Sequence, residues 1–371
     1  MADVFDYIRW RGDLTFSQSP PNAVDSLIFS GLGYVQYSGE VEAHPERPIS
    51  LKDAAEAFFA LEDHEDRSRV QKDQDLLAAA AASVRFGNCC VCMYRDQLIP
   101  EQETQFAAVT FLLDDGSMFL AFRGTDNSLV GWKEDFNMTF QQTIPAQRLA
   151  QQYVREVSME YARPMYIGGH SKGGNLAVFS AARSSPMIQE RIVQVFNHDG
   201  PGFTQYLMGD PGYLTMVPRI QTYIPQSSVI GMLLEHEEAY TVIRSKSVGL
   251  LQHDLYTWNV MGREFLPMEE ITEGSQFADA TIKAWFASMT SQERNQLVDV
   301  MFGLLSSGGA DSVQELLHPR NLRSYIRTLS SDENLRRVLS TEFMGLIEAA
   351  KKTRSRFDEQ RLLLEEIESA E

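Results

Sequence analysis

Apolar residues at the start of the chain recur at helical spacing. Pro21-Asn22 precedes Val24, Leu27, Ile28, Leu32 and Val35, with Asn22 as a candidate cap. Leu51 to Leu61 and Asp73 to Val84 are two more helix candidates, separated by a charged segment that reads as solvated surface. From Phe86 the pattern turns to strands. Ala107 to Leu113 and Met118 to Arg123 flank Asp114-Asp115-Gly116-Ser117, a hairpin turn with glycine where positive φ is needed. Helix and strand then alternate. Gln147 to Tyr161 predicts a helix, Met165 to Gly169 a strand, Asn175 to Arg183 a helix, and Ile192 to Asn197 a strand. Arg219 to Ile224 predicts a strand, Ser228 to Tyr240 a helix and Thr241 to Ser245 a last strand. These strands are apolar runs without period-two alternation, as expected of a mainly parallel sheet covered by helices on both faces.

After about Glu273 only helices are predicted: Ala280 to Thr290, Ser291 to Ser306, Ser312 to His318, and Asn334 to Glu368. The last is amphipathic, with Leu335, Leu339, Phe343, Leu346 and Phe357 on its apolar side. The expected organisation is an α/β region over 1–273, made of a helical part (1–85) and a sheet core (86–273), followed by a helical region over 274–371. No internal repeat is visible.

Within the alternation, Met165-Tyr166-Ile167-Gly168-Gly169-His170-Ser171-Lys172-Gly173-Gly174 carries the Gly-x-Ser-x-Gly pattern. By chance the bare pattern would turn up in roughly one chain in ten of this length. Its meaning therefore rests on context, and here a strand precedes it and an Ala-rich helix follows. That is the nucleophile elbow of an α/β-hydrolase. Small residues at 169 and 173 let strand and helix close around a strained serine, and the helix N-terminus favours the negative charge of an acyl-transfer intermediate.

A serine hydroxyl is a weak nucleophile until a base takes its proton, and on this fold the expected chain order is serine, acid, histidine. Of seven histidines, His253 follows the last parallel strand, where a triad base belongs, with His198 in reserve. His170 flanks Ser171, where its side chain is expected to point away from the nucleophile. The acid is expected after Arg219 to Ile224, but that loop reads Pro225-Gln226-Ser227-Ser228 and offers no carboxylate. The candidate is then Asp199, at the carboxyl end of the strand after the elbow helix. The competing reading makes it a turn residue bonded to its own backbone ahead of Gly200. Glu235 and Asp254 are outside candidates. The oxyanion donors expected are the backbone N–H of Lys172 and, in the loop Phe122-Arg123-Gly124-Thr125, Thr125. Trp132 and Asp135 are candidates to brace that loop.

Composition changes the picture mainly by exclusion. The 371 residues carry a formal net charge of −18, with 43% hydrophobic and 23% charged residues. A globular chain so acidic, without a basic stretch, is a poor partner for nucleic acid or an anionic membrane. No apolar stretch approaches the ~20 residues of a membrane span, and no secretory signal is visible, so a cytoplasmic location is expected. Cys89, Cys90 and Cys92 lack metal-ligand spacing and read as reduced thiols in or beside the core. No cofactor and no metal are expected, and oligomeric state is not specified.

Phe122-Arg123-Gly124-Thr125, with Trp132 and Asp135 downstream and Gly-His-Ser-Lys-Gly-Gly after them, resembles the class 3 (fungal-type) lipase branch of the α/β-hydrolases over roughly Ala107 to Trp258. In that branch the Phe-Arg-Gly-Ser/Thr loop supplies an oxyanion donor and Gly-His-Ser-x-Gly carries the nucleophile. Tyr7 to Phe16, the Asp199-Gly200-Pro201-Gly202 turn and Gln252-His253-Asp254 resemble more narrowly a bacterial group called Mbeg-like. Class 3 lipases carry an aspartate where this chain has Gln226-Ser227-Ser228, and no extended amphipathic lid is visible between Asp199 and Arg219. The leading expectation is a serine hydrolase that cleaves a small-molecule ester or thioester through an acyl-enzyme on Ser171. The alternative is a non-catalytic protein of the same fold that binds a ligand or a protein partner.

Overall fold

Eight strands form one sheet in strict chain order. They are β1 (Ile49–Ser50), β2 (Cys90–Ile99), β3 (Thr104–Leu112), β4 (Met118–Phe122), β5 (Met165–His170), β6 (Ile192–His198), β7 (Ile220–Pro225) and β8 (Tyr240–Ile243). Neighbours from β1 to β4 are antiparallel, and those from β4 to β8 are parallel. This computed structural model describes residues 1–37, 39, 41, 46–126, 128–308 and 319–368. The helix expected over Ser312 to His318 lies outside the described residues.

Helices cover both faces of the sheet. Adjacent residues of β5 show this directly, because successive side-chain positions on a strand point to opposite faces. A Cβ added at Gly168 would meet Ser26 of the helix Ala23–Leu32, whereas one at Gly169 would meet Gly173 of the helix Lys172–Ala182. Double coverage is also why every residue of β3 and β4 is buried, with no polar alternation.

The helix Ala23–Leu32 begins where its cap dictates. The Asn22 side chain accepts from the backbone N–H of Val24 and Asp25, and the Asp25 carboxylate accepts from the Asn22 N–H. All ten of its residues are buried. Phe29 packs with ring centroids 4.8 Å from both Phe111 and Phe119. The same Asp25 is clamped by the buried guanidinium of Arg85, whose Nε lies 2.7 Å away, and by the Tyr7 hydroxyl at 2.9 Å. A buried charge of this kind persists only when paired and hydrogen-bonded, and here the pair pins the first helices to the core.

One expected helix is absent. Ser228 to Ala239 runs as turns and bends, and Tyr240 already opens β8. Its backbone bonds go elsewhere: the Leu233 carbonyl accepts from Gly202 N–H, Glu235 pairs with Phe203, and the Gly231 N–H donates to Ser228 Oγ. Leu234, at φ +66°, breaks any helical run. Apolar spacing alone did not fix this segment because its partners lie on another loop. The three cysteines are free, with Cys89 and Cys92 buried and Cys90 half-buried.

The chain divides into two compact units, Met1–Asp126 with Gln142–Glu270, and Asn127–Gln141 with Ile271–Glu371. The second is helical, built from Leu129–Asn137, Glu273–Ala287, Ser291–Ser306, Pro319–Ser331 and Glu333–Glu368. Phe136 meets Phe302 at 5.7 Å, and Phe277 meets Phe357 at 5.9 Å. On the long last helix Leu335 is buried and Leu339, Leu346 and Phe357 are half-buried, but Phe343 is 62% exposed rather than on the packed side.

Candidate active site

The turn from β5 into the helix Lys172–Ala182 is closed so tightly that only hydrogen fits at two positions. A Cβ at Gly169 would lie 2.2 Å from the Gly173 carbonyl carbon, and one at Gly173 would lie 2.2 Å from the Phe122 carbonyl oxygen. Ser171, between them, takes φ +60° and ψ −134°. A β-carbon at positive φ is strained, and such strain is stored where the surrounding structure over-determines it. Here the Ser171 N–H donates to the His198 carbonyl at 2.9 Å, and the Ser171 carbonyl accepts from the Gly174 N–H at 2.9 Å. The serine is half-buried, at the N-terminus of an eleven-residue helix.

Asp199 follows β6 directly and also has positive φ, +54°, a conformation short polar residues tolerate. The turn around it is held by others. Asn197 Oδ1 accepts from the Gly200 N–H at 2.9 Å, and the Asn175 side chain donates to the carbonyls of Pro201 and Gly202 at 3.0 and 2.9 Å. The fully buried Asp199 carboxylate is thereby left for other partners. Its Oδ2 lies 2.6 Å from His253 Nδ1, and its Oδ1 accepts from Ser228 Oγ at 2.5 Å. A carboxylate on Nδ1 fixes that nitrogen as the protonated one and leaves Nε2 as the basic face. No hydrogen bond joins Nε2 to the Ser171 hydroxyl among the described residues; catalytic hydrogen bonds are often long before substrate binds.

His253 is presented by the short turn Gly249–His253, and its neighbour Gln252 is buried as the anchor of that turn. The Gln252 side chain donates to the Ser247 carbonyl and accepts from the Ser227 N–H, and its own carbonyl accepts from the Trp258 indole. His170 adds a second hold. Its Nε2 lies 2.7 Å from the His253 carbonyl oxygen, its Nδ1 lies 2.9 Å from the Tyr34 hydroxyl, and its ring sits 4.6 Å from that of His253. Burial, then the neighbouring His253, holds the His170 imidazole well below the usual histidine range.

The other candidates fall elsewhere. His198 is fully buried among Phe196, Tyr223, Trp258 and Phe265, with Nε2 2.8 Å from Ser26 Oγ, and burial lowers its pKa to about 3. Asp254 caps the next turn by accepting from the Tyr256 N–H, and the backbone of Glu235 pairs with Phe203. Lys172 is the first residue of the elbow helix. Its side chain is buried, with Nζ donating to the Gln105 carbonyl and Oε1 at 2.9 and 3.0 Å. Thr125 follows Gly124, where an added Cβ would come within 3.0 Å of the Ser171 Cβ, so this loop abuts the elbow. Its brace is Arg123, buried and bidentate on Asp96 at 2.7 and 2.8 Å. Trp132 and Asp135 lie on the helix Leu129–Asn137 of the second unit.

Ser228, His170 and Tyr34 are site residues to which the sequence assigns no role. Ser228 carries a signal in its position, since it stands in the loop after β7 where an acid is expected. His170 was visible only as the neighbour of Ser171. No group of three or more His, Cys, Asp or Glu side chains is gathered as a metal ion would need among the described residues. Nor is any helix among them long and apolar enough to cross a membrane.

The sheet, its helices on both faces and the elbow after β5 make this an α/β-hydrolase fold. The chain belongs to the Mbeg1-like family, whose sequence model matches residues 80–303. No curated protein matches it significantly. Among solved structures it is similar to a mutant form of MDLA from Penicillium cyclopium, at 11% identity and a TM-score of 0.37, covering 67% of this chain and 86% of that one. A lipase–propeptide complex from Rhizomucor miehei is similar at 14% identity and a TM-score of 0.34, covering 66% and 81%.

Proposed function

We propose that this protein is a serine hydrolase that cleaves a carboxylic ester or thioester through an acyl-enzyme on Ser171. The contact that supports this most is the 2.6 Å approach of Asp199, at the end of β6, to His253 Nδ1, in a chain whose Ser171 has φ +60°. In this reading Ser171 Oγ attacks the substrate carbonyl and its proton passes to His253 Nε2. Asp199 holds the imidazole tautomer and stabilises the imidazolium, itself remaining ionised. The tetrahedral oxyanion is met by the Lys172 N–H and by Thr125. The proton on Nε2 then goes to the leaving alcohol or thiol. Water, deprotonated by the same imidazole, releases the acid and restores Ser171.

A fluorophosphonate probe and a short-chain p-nitrophenyl ester test this. The expected result is labelling of the parent protein, its loss in Ser171→Ala, and a drop in turnover of roughly 10⁶-fold in that variant. Equal labelling or turnover in the two would remove Ser171 as nucleophile. An unlabelled parent would turn the reading toward a ligand-binding protein of this fold.

A further inference from the structure

We propose that His170 is a positioning residue for His253, held in register by Tyr34 from the N-terminal helical region; the proposal rests on the serine-hydrolase reading above. The tautomer of His170 follows from its partners. The His253 carbonyl can only accept, so the proton of His170 sits on Nε2 and donates across the 2.7 Å contact. Nδ1 is then a bare lone pair, and the Tyr34 hydroxyl donates to it at 2.9 Å. With both nitrogens engaged, His170 has no group left to serve as a base. It fixes the main chain of residue 253 and supports the ring beside it.

Tyr34 is itself secured. The Arg69 guanidinium lies 4.2 Å from the centre of its ring, Arg69 pairs with the buried Asp73 at 3.6 Å, and Asp73 accepts from the Tyr256 hydroxyl at 2.6 Å. Tyr256 stands three residues after His253, so the side chains form a closed ring. It runs from His253 through His170, Tyr34, Arg69 and Asp73 to Tyr256 and back along the chain. Tyr34, Arg69 and Asp73 all lie upstream of residues 80–303 matched by the family. They add to the hold that Asp199, Gln252 and His170 provide from within that segment. Burial also keeps His170 neutral, so no like charge stands 4.6 Å away when His253 takes up a proton.

The test uses the full chain with Tyr34→Phe, which keeps the ring and removes one donor, beside His170→Leu and His170→Gln. Two readouts are taken: kcat and KM on a short-chain ester, and the NMR signal of the His253 Nδ1 proton against Asp199. Tyr34→Phe is expected to lower kcat about tenfold and His170→Leu about 10- to 100-fold, with KM within about twofold. His170→Gln should recover part of the loss, since its amide can donate to the same carbonyl. The Nδ1 signal should broaden in Tyr34→Phe through faster exchange with solvent. An unchanged Nδ1 signal, or unchanged kcat in an active protein, overturns the positioning role even if thermal stability falls. If the parent lacks turnover but its signal responds to Tyr34→Phe, positioning stands and the hydrolase reading fails.

Discussion

Strands β6 and β7 end side by side, and the turn after each offers the His253 loop a different group. After β6 comes Asp199, whose carboxylate meets the imidazole; after β7 come Gln226, Ser227 and Ser228, with no charge. Both turns nevertheless hold the same loop. The Ser227 N–H bonds the Gln252 side chain, and Ser228 Oγ bonds Asp199. Parallel neighbours stand only about 4.8 Å apart, and here groups from both strand ends converge on Asp199 and the His253 loop. What the pair of turns must supply is one buried carboxylate with a donor for each of its oxygens. Here β6 gives the charge, while His253 and a hydroxyl from β7 give the donors.

Within this comparison the largest effect is expected from breaking its charged side. Asp199→Asn should lower kcat up to ~10⁴-fold with the fold retained, since the amide cannot hold the imidazole in the productive tautomer. Steady-state kinetics with circular dichroism on the same sample checks it, and a loss below tenfold would return Asp199 to a turn role. Moving the charge sharpens the comparison. Ser228→Asp placed on the Asp199→Asn background should recover roughly tenfold or more of the lost kcat, because the new carboxylate starts from the adjacent strand end. No recovery would mean that β7 cannot present an acid to His253. Ser228→Ala alone, which deletes one charge-assisted hydrogen bond, should cost roughly tenfold in kcat.

The smallest effect on turnover is expected one residue before Asp199. His198 leaves the same strand end toward the opposite face, against Ser26. His198→Asn should therefore leave kcat within about twofold while altering acid stability. The folded pKa of His198, about 3, lies below the ordinary 6.5. Between these values the unfolded chain binds the extra proton, so stability falls as pH falls, with a slope on the order of 1 kcal/mol per pH unit from this group. His170, also held low by burial, adds a second such contribution. Urea unfolding of parent and variant between pH 4 and 7 should show a shallower slope in the variant, and identical slopes would reject His198 as a source.

Much of this protein is legible in its sequence wherever the cause is local. The Asn22 cap, the Asp114 to Ser117 hairpin and the elbow at Ser171 each follow from sterics and hydrogen bonds among residues a few positions apart. Chain order and strand-end position were enough to name Ser171, Asp199 and His253 as candidates. Their contacts were another matter. Asp199 reaches Ser228 across 29 positions and His253 across 54, and His170 reaches the His253 carbonyl across 83. No periodicity encodes such pairs. The segment Ser228 to Tyr240 shows the same limit, since helical spacing lost to backbone partners at Gly202 and Phe203. Sequence determined which residues could turn, cap and carry charge; the sheet, by bringing distant strand ends within hydrogen-bond reach, decided which of them meet.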